Sequence, residues 1–295
     1  MTLTQRIGKA LTTRSSLIRR CLMCGRAARL VTKPLSLLWT ELGPGHSSLH
    51  RWILRANGRA VWLRSRTSDL QVFVEIFCRG LYRVPDAARK IIETRPTVID
   101  AGANIGLFSV FIADELPTTR IIAYEPDPDN AAVAVRNLSG LIATGRVEFH
   151  EAAVGASNDT ISFASGLGMN SHVLGRSAGG TGARVVQQID LLPQMREVGL
   201  LKLDVEGAEW EILRDQRLST STPRCLVMEW HALHHDVQES QPQAQLMQLL
   251  QNSGFTVVSD PPNDVNLVGG LWAWRPTTNV GIPEAAHLKA DSVPG

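Results

Sequence analysis

Three shortages narrow what this chain can be. Cysteine is scarce: four in 295 residues, with Cys21 and Cys24 spaced C-x-x-C and Cys78 and Cys225 standing alone. Such a set is no disulfide framework. Without a second ligand pair the lone C-x-x-C makes no structural zinc site, so a reducing, cytoplasmic setting is expected. Long apolar runs are missing too. No stretch nears the roughly 18–20 apolar residues of a membrane span, and residues 1–36, interrupted throughout by arginine, lack the apolar centre of a signal peptide. Acid is nearly absent from the first 68 positions, which hold thirteen Lys/Arg against Glu41 alone, a net charge of +12. The remainder carries −10, so the overall +2 conceals two regions of opposite sign and, by expectation, of different task.

What is present suits a globular chain with a full core: 44% hydrophobic and 20% charged residues. Residues 1–40 have a helical pattern. Leu3, Ile7, Ala10, Leu11, Leu17, Ile18, Cys21 and Leu22 fall on one side, flanked by Arg6, Lys9 and Arg20 and interrupted by Arg14. Two readings stand: a basic amphipathic segment in peripheral contact with an anionic membrane or partner, or, the plainer and preferred one, a helix packed on the domain or a frayed tail. Residues 50–92 read as a cap, with a strand-like alternation over 59–64 and a helix over Asp69–Phe77.

From residue 97 strand and helix signals alternate, which predicts a mostly parallel, doubly wound α/β sheet. Strands are expected at 97–101, 120–125, 146–150, 160–163, 200–204, 225–230, 255–259 and 271–275, and helices at 105–115, 128–138, 207–214 and 242–253. The Gly- and Ser-rich stretch 164–184 reads as a mobile loop. The expected division is a basic helical extension over 1–65, one domain over 66–276 and a flexible tail over 277–295.

The chemistry concentrates at strand ends. Thr97-Val-Ile-Asp100-Ala-Gly102-Ala103-Asn104-Ile-Gly106 ends a strand in an acid and turns through glycines into a helix, the first unit of a nucleotide-type fold. A carboxylate there repels a pyrophosphate and favours a cation, so the ligand expected is S-adenosylmethionine, which has an ammonium and a sulfonium and no phosphate. The second strand ends in Glu125 before Pro126, where a carboxylate can accept from both ribose hydroxyls. Glu151 and Ala152 follow the third strand, where the adenine ring is expected, Glu151 being either an acceptor for the adenine amine or a solvated loop carboxylate. Lys202, Asp204 and Glu206 put charge at the end of a central strand that should be apolar. They are either functional or an ion pair that supports the loop. Glu209 reads as a complement to a helix dipole. Glu229 and His231 end the fifth strand. His231 can take the proton of an acceptor hydroxyl, or Asp204 and Glu229 can hold Mg²⁺ that acidifies it. Asn170 and His172 are secondary candidates for substrate contact. The cluster His231, His234, His235 and Asp236 has no zinc-protease spacing.

These motifs resemble the FkbM family of S-adenosylmethionine-dependent methyltransferases. The matching segments are Ser68–Phe77 with Tyr82, Val98–Gly106, Tyr124–Pro128, Ala152–Gly155, Leu201-Lys-Leu-Asp-Val-Glu-Gly-Ala-Glu209 and Met228–His231, spanning about residues 66–260. The Leu-Lys-Leu-Asp-Val-Glu-Gly-Ala-Glu string is specific to that family, whereas the glycine turn is shared by many methyltransferases. The resemblance implies a class I methyltransferase fold, Rossmann-like, with a seven-stranded sheet, a reversed terminal hairpin and an N-terminal helical cap. It also implies O-methylation of a sugar, glycolipid, polyketide or similar natural product. Trp230 stands where such proteins often have a smaller aliphatic residue, which suggests an altered substrate side. Nucleic acid is not the expected partner: the place of an Asp/Asn-Pro-Pro-aromatic tetrad holds Asp204-Val-Glu-Gly, and Asp260-Pro-Pro-Asn263 reads as a turn. A non-catalytic protein that binds the donor is the remaining rival.

Overall fold

The computed structural model describes residues 18–80, 82–164, 172–175, 183–205, 208–219, 223–231, 233–234, 237–238, 242–259 and 268–275. Expectations for residues 1–17, Asn170, Glu206, His235, Asp236, Asp260–Asn263 and 277–295 lie outside them.

The helical pattern predicted over 1–40 is two helices in the described part, α1 (residues 18–30) and α2 (Pro34–Leu42). The break has a local cause. Pro34 opens α2 and keeps Lys33 out of the helical region (φ −118°, ψ 70°), while Val31 forms an antiparallel bridge to Leu54. The buried side of α1 is not the apolar stripe of the sequence pattern. Cys24, Ala27 and Ala28 pack inward with Val31, whereas Ile18, Cys21 and Leu22 are exposed. Cysteine and alanine let the helix approach closely; the larger side chains of the predicted stripe face outward.

A hairpin of β1 (Leu49–Ile53) and β2 (Ala60–Arg64) follows, then α3 (Asp69–Phe77) and α4 (Asp86–Glu93). The domain continues with β3 (Thr97–Ala101), α5 (Leu107–Glu115), β4 (Arg120–Tyr124), α6 (Pro128–Ala143) and β5 (Val147–His150). Next come β6 (Ala153–Gly155), β7 (Asp159–Ala164), β8 (His172–Gly175) and β9 (Ala183–Asp190). The last part is β10 (Leu200–Leu203), α7 (Glu209–Arg214), β11 (Cys225–His231), the short pair β12 (Leu233–His234) and β13 (Val237–Gln238), α8 (Pro242–Asn252), β14 (Thr256–Ser259) and β15 (Val268–Trp274).

Seven strands form the central sheet in the order β14-β15-β11-β10-β3-β4-β5. Only β15 runs antiparallel, to both β11 and β14; the other pairings are parallel. This is the expected doubly wound sheet with its reversed hairpin, characteristic of class I methyltransferases. The chain winds outward from β3 to β5, then returns to β10 and winds the other way. The carboxyl ends of β3 and β10 therefore flank a topological switch point, where such sheets open a crevice.

Alternate residues of the strands feed two cores. Val98, Ile121, Leu200 and Val227 face a layer built from α1–α6 and the β1–β2 hairpin, and Ile99, Leu201, Leu203, Met228 and Trp230 face α7 and α8. Trp230 is thus a core residue beside Leu246 and Leu250, which corrects the expectation that it alters the substrate side.

The stretch 164–184, expected as a loop, contains β8 and the start of β9. These join a second sheet in the order β6-β9-β7-β8. Gly and Ser runs hide strands that are ordered by backbone pairing with β7; Val185 in β9 is exposed.

Polar stitches hold the cap on the domain. Arg64 grips Asp69 through Nε and Nη2 at 2.9 and 2.8 Å and reaches Asn130 at 2.6 Å. Buried Asn137 of α6 accepts from Trp62 N at 2.6 Å and donates to the carbonyls of Trp62 and Ile105 at 3.1 and 2.7 Å. Asn137→Ala leaves three buried backbone groups without partners and is expected to lower stability by about 2–4 kcal/mol, read from the urea midpoint at constant slope.

Candidate active site

The site is built at the β3/β10 switch point. Asp100 of β3 and Lys202 of β10 are direct neighbours in the parallel register, so their side chains share the face that also meets α5. Lys202 is 3% exposed. Its ammonium donates to the Gly102 carbonyl at 2.5 Å and lies 3.4 Å from Asp100 and 3.3 Å from Asp204, with the Phe108 ring 5.9 Å away. Burial opposes this charge, but Asp204 and Asp100 outweigh it and hold the ammonium above its usual range. Ser109 on the first turn of α5 donates to Asp100 at 2.7 Å.

Asp100 itself is fully buried. Burial raises its pKa, with Lys202 and Ser109 pulling it back. The carboxylate expected to greet a ligand's ammonium therefore faces Lys202 and Ser109 instead, beneath the glycine turn. Asp204, with a side chain 23% exposed, is the member of the cluster that reaches the surface of the crevice.

The turn after β3 is shaped by close approach. Gly102 has φ +80°, and a Cβ there would lie 1.8 Å from the Asp204 carbonyl oxygen. No side chain fits that contact, and the conformation favours glycine anyway. Both Gly102 N and Ala103 N donate to Tyr124 O. Asn104 also has positive φ, +52°; its side chain accepts from Ile105 N, and its own N–H donates to Glu125 Oε2 at 2.7 Å. Gly106 then begins α5 at φ +78°, packed against Leu138 and Ala134.

Glu125 ends β4 almost fully buried. Its other oxygen accepts from Asp127 N at 2.9 Å across Pro126, and Asp127 in turn caps α6 through Asp129 N. Burial pushes the carboxyl from 4.5 up to about 7, against the pull of the Asp127 and Asn104 N–H groups. Each oxygen keeps further lone-pair capacity, so Glu125 is held in place without being used up. Beyond β5, Glu151 is exposed and Ala152 buried.

At the far end of the crevice Glu229 sits half-buried on β11, opposite Gly270 of β15. His231 closes that strand opposite Val268; its side chain, like that of His172 in β8, lies outside the described residues. Glu209, buried at the start of α7, accepts from Val205 N at 2.9 Å and so braces the turn after β10, a more specific task than complementing a helix dipole.

The cap adds groups to which sequence reasoning assigned no role. Tyr82 packs edge-on against Phe108 at 5.0 Å. Its phenol is raised well above the usual range by burial and then by Asp204, Glu229, Asp100 and Glu75, which places it among four carboxylates. Glu75 of α3 accepts from Gln71 at 3.0 Å; burial raises its pKa, and Asp204 adds to the rise. The only hint in the sequence was their place in the segments quoted above.

The enclosure is predominantly acidic: its buried cation, Lys202, is committed to Gly102, Asp100 and Asp204, and Arg79 lies 3.8 Å from Glu75. That suits a positively charged, phosphate-free ligand such as S-adenosylmethionine and repels a pyrophosphate. Among the described residues no three ligating side chains converge on a metal. Of the Asp204–Glu229 pair considered for Mg²⁺, Asp204 already faces the Lys202 ammonium, a poor fit for a second cation.

A family model described as the methyltransferase FkbM domain matches residues 100–257. The chain is 25% identical over 245 residues to methyltransferase sdnD of Sordaria araneosa, covering 70% of this chain and 90% of that one. It is 28% identical over 142 residues to methyltransferase 1 of Beauveria bassiana, covering 40% and 57%. Among solved structures, the methyltransferase FkbM of Methylobacillus flagellatus KT aligns at 11% identity and TM-score 0.41 over 88% of this chain and 60% of that one.

Two outcomes follow from the geometry. Gly102→Ala drives a methyl group into the Asp204 carbonyl and is expected to abolish ligand binding or folding, as isothermal calorimetry and circular dichroism will report. Because the folded-state pKa of Glu125 is raised, its contribution to stability is complete below about pH 4.5 and lost as pH rises through about 7. The ligand-free protein is expected to lose roughly 3 kcal/mol across that window from this group, and Glu125→Gln to flatten the profile of urea midpoint against pH.

Proposed function

The chain belongs to the FkbM family of methyltransferases, and on that premise we propose that it transfers a methyl group from S-adenosylmethionine to a hydroxyl oxygen of a sugar, glycolipid, polyketide or similar small natural product. The observation that carries this reading is Glu125: a buried carboxylate at the end of β4, oriented by two backbone N–H groups and placed beside an acidic crevice with no free described cation. That arrangement supports recognition of an adenosine diol joined to a cationic methionine.

S-adenosylmethionine, when bound, supplies an electrophilic methyl group on a positively charged sulfur. The chain's own residues then have three tasks. Glu125 accepts from the ribose hydroxyls, and the turn Gly102-Ala103-Asn104 lets the ligand lie against backbone. Lys202 fixes Asp204 at 3.3 Å, so that the outward part of this carboxylate orients an acceptor hydroxyl in line with the methyl carbon. As the new C–O bond forms and the S–C bond breaks, the hydroxyl proton passes to Asp204 or to His231 at the end of β11.

Donor binding is the first test. S-adenosylmethionine is expected to bind in calorimetry, to release a proton near pH 7 and to tighten from pH 6 to pH 8, because the diol selects ionised Glu125. Glu125→Gln is expected to weaken binding about 10–100-fold and remove the pH dependence. Tight binding of NAD instead would refute the reading. For the reaction, purified enzyme and labelled donor are incubated with extract of cells lacking the protein, and the product is identified by mass spectrometry. A methylated hydroxyl is expected; a methylated amine, nucleobase or protein side chain refutes it. Asp204→Asn is expected to cut kcat at least 100-fold with donor affinity within a few-fold of wild type, and His231→Ala tells whether the imidazole shares the proton transfer.

A further inference from the structure

Five of the seven exposed large apolar side chains among the described residues lie on α1 and α2. On α2 they are Leu35, Trp39 and Leu42, spaced i, i+4, i+7 and therefore on one face, with Trp39 71% exposed; on α1 they are Ile18 and Leu22, again one turn apart. Exposed apolar groups concentrated on two consecutive helices mark contact surfaces rather than the ordinary scatter of such groups.

The charge around it has one sign. Glu41 is the sole acid from residue 18 to residue 68, and it is buried, accepting from Arg20 at 2.9 Å and from Arg66 N at 3.1 Å. No carboxylate of this region faces solvent, whereas Arg19, Arg26, Arg29 and Lys33 all do. On the helical period, Arg26 and Arg29 fall on the same outer side of α1 as Ile18 and Leu22. The presentation of α2 is also fixed: the Arg66 guanidinium donates to the carbonyls of Thr40, Gly43 and Gly45 and so caps its C-terminal end.

We propose that the exposed apolar sides of α1 and α2 seat the protein on an anionic lipid bilayer, with Leu35, Trp39, Leu42, Ile18 and Leu22 in the headgroup–acyl boundary and the flanking arginines on headgroup phosphates. An anionic bilayer satisfies both halves of the surface. A second copy of the chain meeting it across a twofold axis would set Arg19, Arg26 and Arg29 against themselves. A nucleic acid would take the arginines and leave the leucines against water. The sequence pattern continues the stripe upstream, since Leu3, Ile7 and Leu11 keep the helical period of Ile18 and Leu22 with Arg6 and Lys9 beside them.

The test is independent of catalysis. Full-length protein is sedimented with vesicles of phosphatidylcholine, or of phosphatidylcholine with one third phosphatidylserine, at low and high salt. Partitioning at least tenfold stronger into the anionic vesicles, weakened by salt, is expected. The double variant Leu35→Ser/Trp39→Ser is expected to lose at least tenfold in partitioning with unchanged thermal melting and S-adenosylmethionine affinity. Arg26→Glu/Arg29→Glu is expected to lose the preference for anionic lipid. Failure to sediment with anionic vesicles overturns the proposal, as does undiminished partitioning of the double variant. A dimer in light scattering that the double variant dissolves also overturns it, in favour of a second copy. Tighter binding to duplex DNA or RNA than to vesicles, insensitive to the apolar substitutions, overturns it in favour of nucleic acid.

Discussion

One ammonium group holds the crevice together. Lys202 lies in the middle of a parallel sheet, where a charge is tolerated only with partners, and it finds them on both sides of the switch point: Asp100 on β3, Asp204 beyond β10 and the carbonyl of Gly102 between them. Two chain segments a hundred residues apart, 100–102 and 202–204, meet at it. The contact also requires the missing side chain at Gly102, whose α-carbon rides against the Asp204 carbonyl. A single cation between two carboxylates leaves a residual negative charge, so the site is acidic before the cap contributes anything.

The cap then deepens that character. Its helices pack on the same sheet face as Lys202, and Tyr82 closes over Phe108, bringing Glu75 within electrostatic reach of Asp204. The opposite charges of the two parts of the chain thus meet in an ordered way. The basic N-terminal region displays Arg19, Arg26, Arg29 and Lys33 outward and neutralises its one acid internally, while the following domain gathers carboxylates at the sheet's carboxyl edge. Asn137, through the backbone of Trp62 and Ile105, and Arg64, through the Asp69 and Asn130 side chains, join the two.

The strands carrying the chemistry were readable because each pairs an apolar run with a sharp terminator: Thr97–Ala101 before Gly102, Arg120–Tyr124 before Pro126, Leu200–Leu203 before the charged turn. The second sheet was not readable. β8 and β9 are flanked by Gly and Ser, and they are ordered by pairing with β7, a long-range property that no local period reports. Which side of α1 packs was not readable either: Cys24, Ala27 and Ala28 are buried, with Met23 and Leu30 partly so, while Ile18 and Leu22 are exposed.

Residue order alone was enough to specify a doubly wound sheet and an acidic rather than phosphate-binding turn, since these depend on local period, turn chemistry and the sign of nearby charges. Packing settled which carboxylate does what. Asp100 is drawn under the turn by Lys202 and Ser109, Glu125 is fixed by two N–H groups, Asp204 is left reaching the surface, and Trp230 is committed to the core. Those assignments depend on which groups find partners once the strands lie side by side, and a partner a hundred residues away leaves no mark on the local pattern.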